Sequence, residues 1–483
     1  MNTAEATRFV DTRRTNLLMA VLSLVVLTVA VLQTAVVPVL GVIATQLGTS
    51  PVTVSWAVTA NLLAAAAATP LIGRLADLYR KKSVLLGVLL VVLAGSVLAA
   101  TTSSVGLLIV ARILQGASYA LYPVGIAVLR DELPEERMVS AMAVLSGTLG
   151  FGGGMGLVVT GLLMSGDAGY HRVFWLTTGF TIVVIVVAAL MIPSRPAAAT
   201  GTIDWLGAVG LASGLSATLL AVTQGTSWGW TAPATLGPLV AGVLILVAWW
   251  FWERRSSQPL VSTEMLARRP ILLTNLATIF VGMGLYFAFL GLTEFVQAPR
   301  EEAGYGFSAD VLEVSVYFLL PGALTGFVVA LVSGRFIDRF GARRVLAVAA
   351  VAGIIGFVML ALSHDRMWQV IVAGMLANAY ISLGYGALPA LVVSEVDAGQ
   401  TGVATGINAI ARTIGSSVAA AVVALVLGHA AIPAEHSFVA IFGAGAGTAV
   451  LAMALIAVSR APDTHCDSPE GLSGTREMNH EWG

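Results

Sequence analysis

The decapeptide GRLADLYRKK, Gly73 to Lys82, places a glycine, an aspartate and a basic cluster between two apolar stretches, 53–72 and 84–102. A helix needs about 20 mostly apolar residues to cross a bilayer, so the decapeptide reads as a polar station joining two spans. A second version, GRFIDRFGARR from Gly334 to Arg344, sets Gly334 and Asp338 each 261 residues after Gly73 and Asp77. Further out, LIVARILQG at 108–116 is echoed by VIVAGMLAN at 370–378, an offset of 262. Two stations in register imply two related halves.

Composition agrees with spans and excludes a solvated globule. Hydrophobic residues make up 57% of the chain and charged residues 11%, with a mean hydropathy of +0.90. A net charge of -1 gives no reason to expect a nucleic-acid partner. The one cysteine, Cys466, lies in a polar tail, so neither a disulfide framework nor a cysteine metal site is expected. Arg13 and Arg14 precede an apolar run too long for a signal peptide, and that run is read as a retained first span.

Counting apolar runs between charged or Pro/Gly-rich breaks gives fourteen spans. They are 17–40, 53–72, 84–102, 105–129, 138–164, 173–192, 203–223, 232–252, 271–294, 311–333, 345–363, 367–393, 402–428 and 437–458. The repeat offset exceeds a six-span half by about the length of 203–252, which makes the layout 6+2+6. The expected fold is an all-α polytopic membrane protein with an N-terminal bundle at 17–195, two additional helices at 203–252 and a C-terminal bundle at 271–458. Segment 1–16 and the polar tail 461–483 flank them. Of the 25 Lys and Arg residues, 20 fall on one side of these spans, three on the other, and Arg112 and Arg412 lie within spans. The positive-inside rule then puts both termini and both stations in the cytoplasm, with the chain in the cell membrane.

Together these features resemble the major facilitator superfamily, in its fourteen-span drug:proton antiporter type, over about residues 10 to 460. Gly73, Asp77, Lys81 and Lys82 match the family's loop motif, although Arg80 stands where a second glycine is usual. Arg112, Gln115 and Gly116 match its fourth-span motif. ATGINAIARTIGSSVAAAV from Ala404 resembles the penultimate span, and IDWLGA at Ile203 the first additional helix. Two positions depart from the pattern: Gln33 replaces a first-span aspartate, and Phe151 replaces a proline in the glycine-rich fifth span. The resemblance implies the major facilitator fold, with two bundles that rock to open a midplane site alternately to each side.

It also implies roles. Asp77 latches onto the amino end of the penultimate span near Thr401 to Val403, with Arg130 as its ion partner and Gly73 permitting close approach. By the repeat, Gly334, Asp338 and Arg343 act likewise against the fifth span near Val139 and Ser140. Proton coupling needs a titrating group, and none of the six histidines falls within a span. Glu294 and Glu313 are the candidates on position, each also readable as an outer-interface charge. Arg112 is read either as a cavity cation or as a structural donor to Gln33 and backbone carbonyls, and Arg412 as a structural donor. Gln33, Asn61, Gln115, Tyr119, Tyr122, Asn275, Tyr286, Asn378, Tyr380 and Asn408 are polar or amphipathic groups inside spans, suited to lining a substrate cavity.

The expected activity is export of hydrophobic or amphipathic, in part cationic, drugs by proton antiport. The alternatives are a uniporter or proton symporter of a neutral or anionic metabolite and, from another class, a non-transporting membrane receptor. No nucleotide-binding phosphate loop occurs, so the proton gradient is the expected energy source. No cofactor and no enzymatic activity are expected; the partners are a small-molecule substrate and the lipid bilayer, and the expected state is a monomer.

Overall fold

The computed structural model describes residues 3–164, 169–196, 201–427 and 432–459, leaving out the side chains of 3–13, 51, 52, 135, 136, 139, 311, 338 and 398. The tail 461–483 and the first two residues lie outside the described residues. Among the latter there are helices and no strands, as a hydrocarbon solvent demands, because a helix satisfies its own backbone donors and acceptors. Fourteen helices are long and apolar enough to span a bilayer, matching the expected count.

They run as α1 (Thr3–Thr34, with a helical continuation to Gln46), α2 (Pro51–Leu78), α3 (Lys81–Thr101), α4 (Val105–Glu132), α5 (Glu135–Leu163) and α6 (His171–Met191). The additional pair is α7 (Trp205–Trp228) and α8 (Pro233–Glu253). The last six are α9 (Arg269–Gln297), α10 (Val314–Ile337, opening with a π-helical turn), α11 (Ala342–Leu362), α12 (Met367–Val393), α13 (Thr401–Leu427) and α14 (Glu435–Val458). The outward faces are apolar, with Leu190, Val348 and Leu362 each at least 72% exposed, and contiguous apolar surface of this kind requires lipid.

One boundary matters for function. The station at Gly73 is not a loop: α2 continues through Asp77 to Leu78, and only Tyr79 and Arg80 are non-helical before α3 begins at Lys81. Gly334 and the backbone of Asp338 likewise sit inside a helix that ends at Phe340.

The seam between the two sets of six is made by α2 against α13, α5 against α10 and α12, and α4 against α13. Glycines set its closeness. A Cβ on Gly147 or Gly154 would come within 2.1 or 2.5 Å of Ala330 or Ala323 on α10, while one on Gly152 or Gly156 would strike α1. Phe151, at the position where the resembled family has a proline, meets Phe327 across the same seam in a tilted pair, with ring centroids 4.8 Å apart and planes inclined by 33°. Gly154→Val is therefore expected to wedge α5 from α10 and cost about 1–3 kcal/mol, read as a lowered unfolding temperature in detergent. Helix α7 covers the α2–α13 line, with Ser216 Oγ donating to Leu63 O and Gln224 Nε2 donating to Thr59 Oγ1, and α8 packs on α7.

Candidate functional site

At one end of the seam the Asp77 carboxylate is fully buried and accepts two backbone hydrogen bonds from the other half. Gly402 N donates to Oδ1 at 3.0 Å and Val403 N to Oδ2 at 3.1 Å. These N–H groups open α13, where no intrahelical carbonyl is available to them and the helix dipole favours a negative charge. The approach depends on two glycines facing each other: a Cβ on Gly73 would lie 2.7 Å from Gly402 O, and one on Gly402 would lie 2.6 Å from Gly73 O.

Arg130 is not the ion partner of Asp77. Its Nη2 donates to Val396 O at 2.7 Å and its Nη1 to Thr401 Oγ1 and Asp397 O, so it grips the carbonyls between α12 and α13. Asp77 already has both oxygens engaged by peptide N–H groups, and the carbonyls beside them suit a cation. Lys81 pairs instead with both oxygens of Asp131 at 2.6 Å, tying α3 to α4. Lys82 is half-buried, and Arg343 reaches Ser459 O at 3.5 Å. In the second half, a Cβ on Gly334 would lie 2.5 Å from Ser140 Cα, which brings that station onto α5 as the repeat implies. The side chains of Asp338 and Val139 lie outside the described residues.

The two intramembrane arginines have opposite environments. Arg112 is 1% exposed; its Nε donates to Ala57 O, and its Nη1 to Leu32 O and to Gln115 Oε1. Gln115 Nε2 continues to Ser96 Oγ, and Asn61 Nδ2 donates to Arg112 O, so one network joins α1, α2, α3 and α4. Its carbonyl partner on α1 is Leu32, not the Gln33 side chain. Arg412 lies over the rings of Tyr122 and Tyr385, 5.0 and 4.7 Å from their centroids, one on α4 and the other on α12.

The carbonyl of Tyr385 is free because Pro389, four residues on, has no N–H to give it. Tyr122 Oη at 3.2 Å and Ser146 Oγ at 2.7 Å donate to it from the other half. Of the ten residues expected to line a cavity, Gln33, Tyr119, Asn275, Tyr286 and Asn378 stay partly accessible, whereas Asn61, Gln115, Tyr122, Tyr380 and Asn408 are buried. Asn408 Nδ2 spends itself on Asn275 Oδ1 and Thr278 Oγ1, which fastens α13 to α9.

The sequence pattern of the Major Facilitator Superfamily is matched over residues 22–420. The chain belongs to that superfamily. Among its relatives, a uridine/deoxyuridine transporter of Lactococcus lactis is 27% identical over 368 residues, covering 74% of each chain. A multidrug resistance protein B homolog of Mycobacterium tuberculosis is 24% identical over 420 residues, covering 83% of this chain and 76% of that one. The crystal structure of the human organic anion transporter MFSD10 superposes with a TM-score of 0.65 at 16% identity, over 92% of this chain and 99% of that one. It shares the fold.

In this facilitator the proposed proton carriers do not gather at the centre. Glu294, near the end of α9 far from Asp77, is exposed, and Glu313 exchanges hydrogen bonds with Asp310 in an exposed turn before α10. His171 and His436 fall in the first turns of α6 and α14, at helix ends. Among the described residues there is no cluster of three or more His, Cys, Asp or Glu suited to a metal. Arg412 is the residue the sequence reading misplaced: it was expected to be a structural donor, yet it faces tyrosines from both halves. A signal existed in Pro389, which predicts a free carbonyl and a cross-bundle contact at Tyr385.

Proposed function

We propose that this facilitator is a secondary active exporter of amphipathic organic molecules, driven by proton antiport and working by alternating access. The observation that carries the reading is the Asp77 latch, a buried carboxylate whose two donors belong to the opposite half. Such a contact exists only while that end of the seam is shut. The basic residues around it support a cytoplasmic location for that end under the positive-inside rule, with the chain in the cell membrane. A relative named for multidrug resistance supports an exported substrate of this kind.

The latch also supplies a rationale for coupling. When the halves part, Asp77 loses both peptide donors and its proton affinity changes with the state of the gate, which is what linking a proton to alternation requires. Glu294 is exposed with no ion pair among the described residues. Glu294→Gln is accordingly expected to leave the pH dependence of flux unchanged in proteoliposomes. An abolished dependence would transfer the carrier role from Asp77 to Glu294. The primary test is purified protein in liposomes with an imposed pH gradient and a panel of dyes, drugs, nucleosides and organic acids. Uphill movement of any of them supports antiport, and indifference to the gradient indicates facilitated diffusion.

A second reading has its own support. A relative named as a uridine/deoxyuridine transporter, together with a central cation and no carboxylate opposite it, favours a neutral or anionic metabolite. The nucleosides and organic acids in the panel address it.

A further inference from the structure

We propose that Arg412 is the anchor of an anion subsite, and that the substrate carries a carboxylate or phenolate on an aromatic body. The inference rests on the transporter reading above and narrows its substrate class.

Arg412 lies 11 residues into α13 from Thr401, roughly 16 Å along the helix at 1.5 Å per residue and so about midway through a hydrocarbon core of about 30 Å. It is nine-tenths buried there. A cation at this depth is costly unless something compensates it. No carboxylate does so: the ion pairs among the described residues are Lys81–Asp131, Arg195–Glu132 and His364–Glu435, all away from it. Asp77 is engaged at the latch, and Glu294 lies near the far end of α9.

The two tyrosine rings compensate the charge of the guanidinium through their π faces, and the hydrogen-bonding groups lie on the edges of the fork. All five N–H donors of an arginine point along those edges, in the plane of the fork. Among the described residues none of them reaches a protein acceptor. Arg112 shows the contrast, because its donors are spent on two carbonyls and an amide. A planar anion entering in the plane of Arg412 would accept two parallel charge-assisted hydrogen bonds. The partly open rings of Tyr119 and Tyr286 lie within electrostatic reach of each other, and Tyr119 within reach of Arg412. They give an aromatic body a wall from each half of the molecule.

The test uses the full chain in lipid nanodiscs and three shape-matched probes: 2-naphthoate, 2-naphthamide and (2-naphthylmethyl)ammonium. Calorimetric titration is expected to show naphthoate binding at least about 10-fold tighter than naphthamide, with the ammonium weakest. Arg412→Gln should abolish that preference while naphthamide binding persists, which also reports a folded site. Arg412→Lys keeps the charge without the planar fork and should retain only part of the preference, so it serves if the glutamine variant does not fold. The proposal is overturned if the ammonium binds as tightly as naphthoate, if the preference survives in Arg412→Gln or is undiminished in Arg412→Lys, or if wild type does not bind naphthoate at millimolar concentration. Binding requires no gradient. A preserved anion preference without any flux would therefore sink the exporter reading alone, and flux confined to cations would sink the subsite alone.

Discussion

Asp77→Asn is expected to cut uphill transport about 10- to 100-fold while the chain still folds and inserts. Asparagine keeps the shape of the side chain but replaces one acceptor oxygen with an NH2 group. That group would face Gly402 N or Val403 N, donor against donor. A hydrogen bond to a charged acceptor contributes about 1.5–3 kcal/mol, and the lost charge also forgoes the field at the start of α13. Losing about 1.4–2.8 kcal/mol from the latched state shifts its population by the stated factor. Lengthening is no remedy, since a Cβ on Gly402 would already sit 2.8 Å from Asp77 Oδ1 and the contact has no slack for the extra methylene of Asp77→Glu. Flux in proteoliposomes, with thermal unfolding as the folding control, checks both variants. Wild-type flux in Asp77→Asn would remove the latch from the transport cycle.

How legible this was varied from residue to residue, for physical reasons. All fourteen spans were readable because the bilayer imposes a length and an apolarity that few other constraints imitate. The target of Asp77 near Thr401 to Val403 followed from the family resemblance, and the peptide N–H groups of Gly402 and Val403 meet its carboxylate there. Arg130 was assigned to the wrong partner because a cation at the end of a span says nothing of the carbonyls of Val396 and Asp397, which come from across the seam. The same blindness left Arg112 open between cavity cation and structural donor and made Arg412 a structural donor. Each is a lone cation in an apolar run, and what separates them is whether neighbouring helices offer backbone carbonyls or aromatic faces. Periodicity cannot report that, because the deciding atoms belong to helices tens to hundreds of residues away. Asn61 and Gln115, polar groups expected to face a cavity, proved to be the supporting members of the Arg112 network.

Arg112→Ala should act on the fold, and by more than any substitution at the centre. Its guanidinium satisfies Ala57 O, Leu32 O and Gln115 Oε1 at once, and Gln115 in turn is positioned to hold Ser96. Removing it leaves Leu32 O on α1 and Gln115 Oε1 on α4 without this donor, takes from Ala57 O the bond it accepts beyond that of its own helix, and opens a void beside them. Each orphaned acceptor costs about 1–3 kcal/mol, so a loss of about 3–5 kcal/mol is expected, the range seen when one member of a buried charged network is removed. Arg112→Lys should recover little, because one ammonium cannot serve acceptors on three helices. Thermal unfolding and yield of folded protein measure the effect, and flux per folded molecule separates it from transport. Arg412→Gln gives the reference, since a residue with no hydrogen bond to lose should unfold near the wild-type temperature. The two arginines would then part as their surroundings require, Arg112 holding four helices together and Arg412 left free to meet a substrate. A normally stable Arg112→Ala that fails to transport would instead assign Arg112 a direct part in moving substrate or proton.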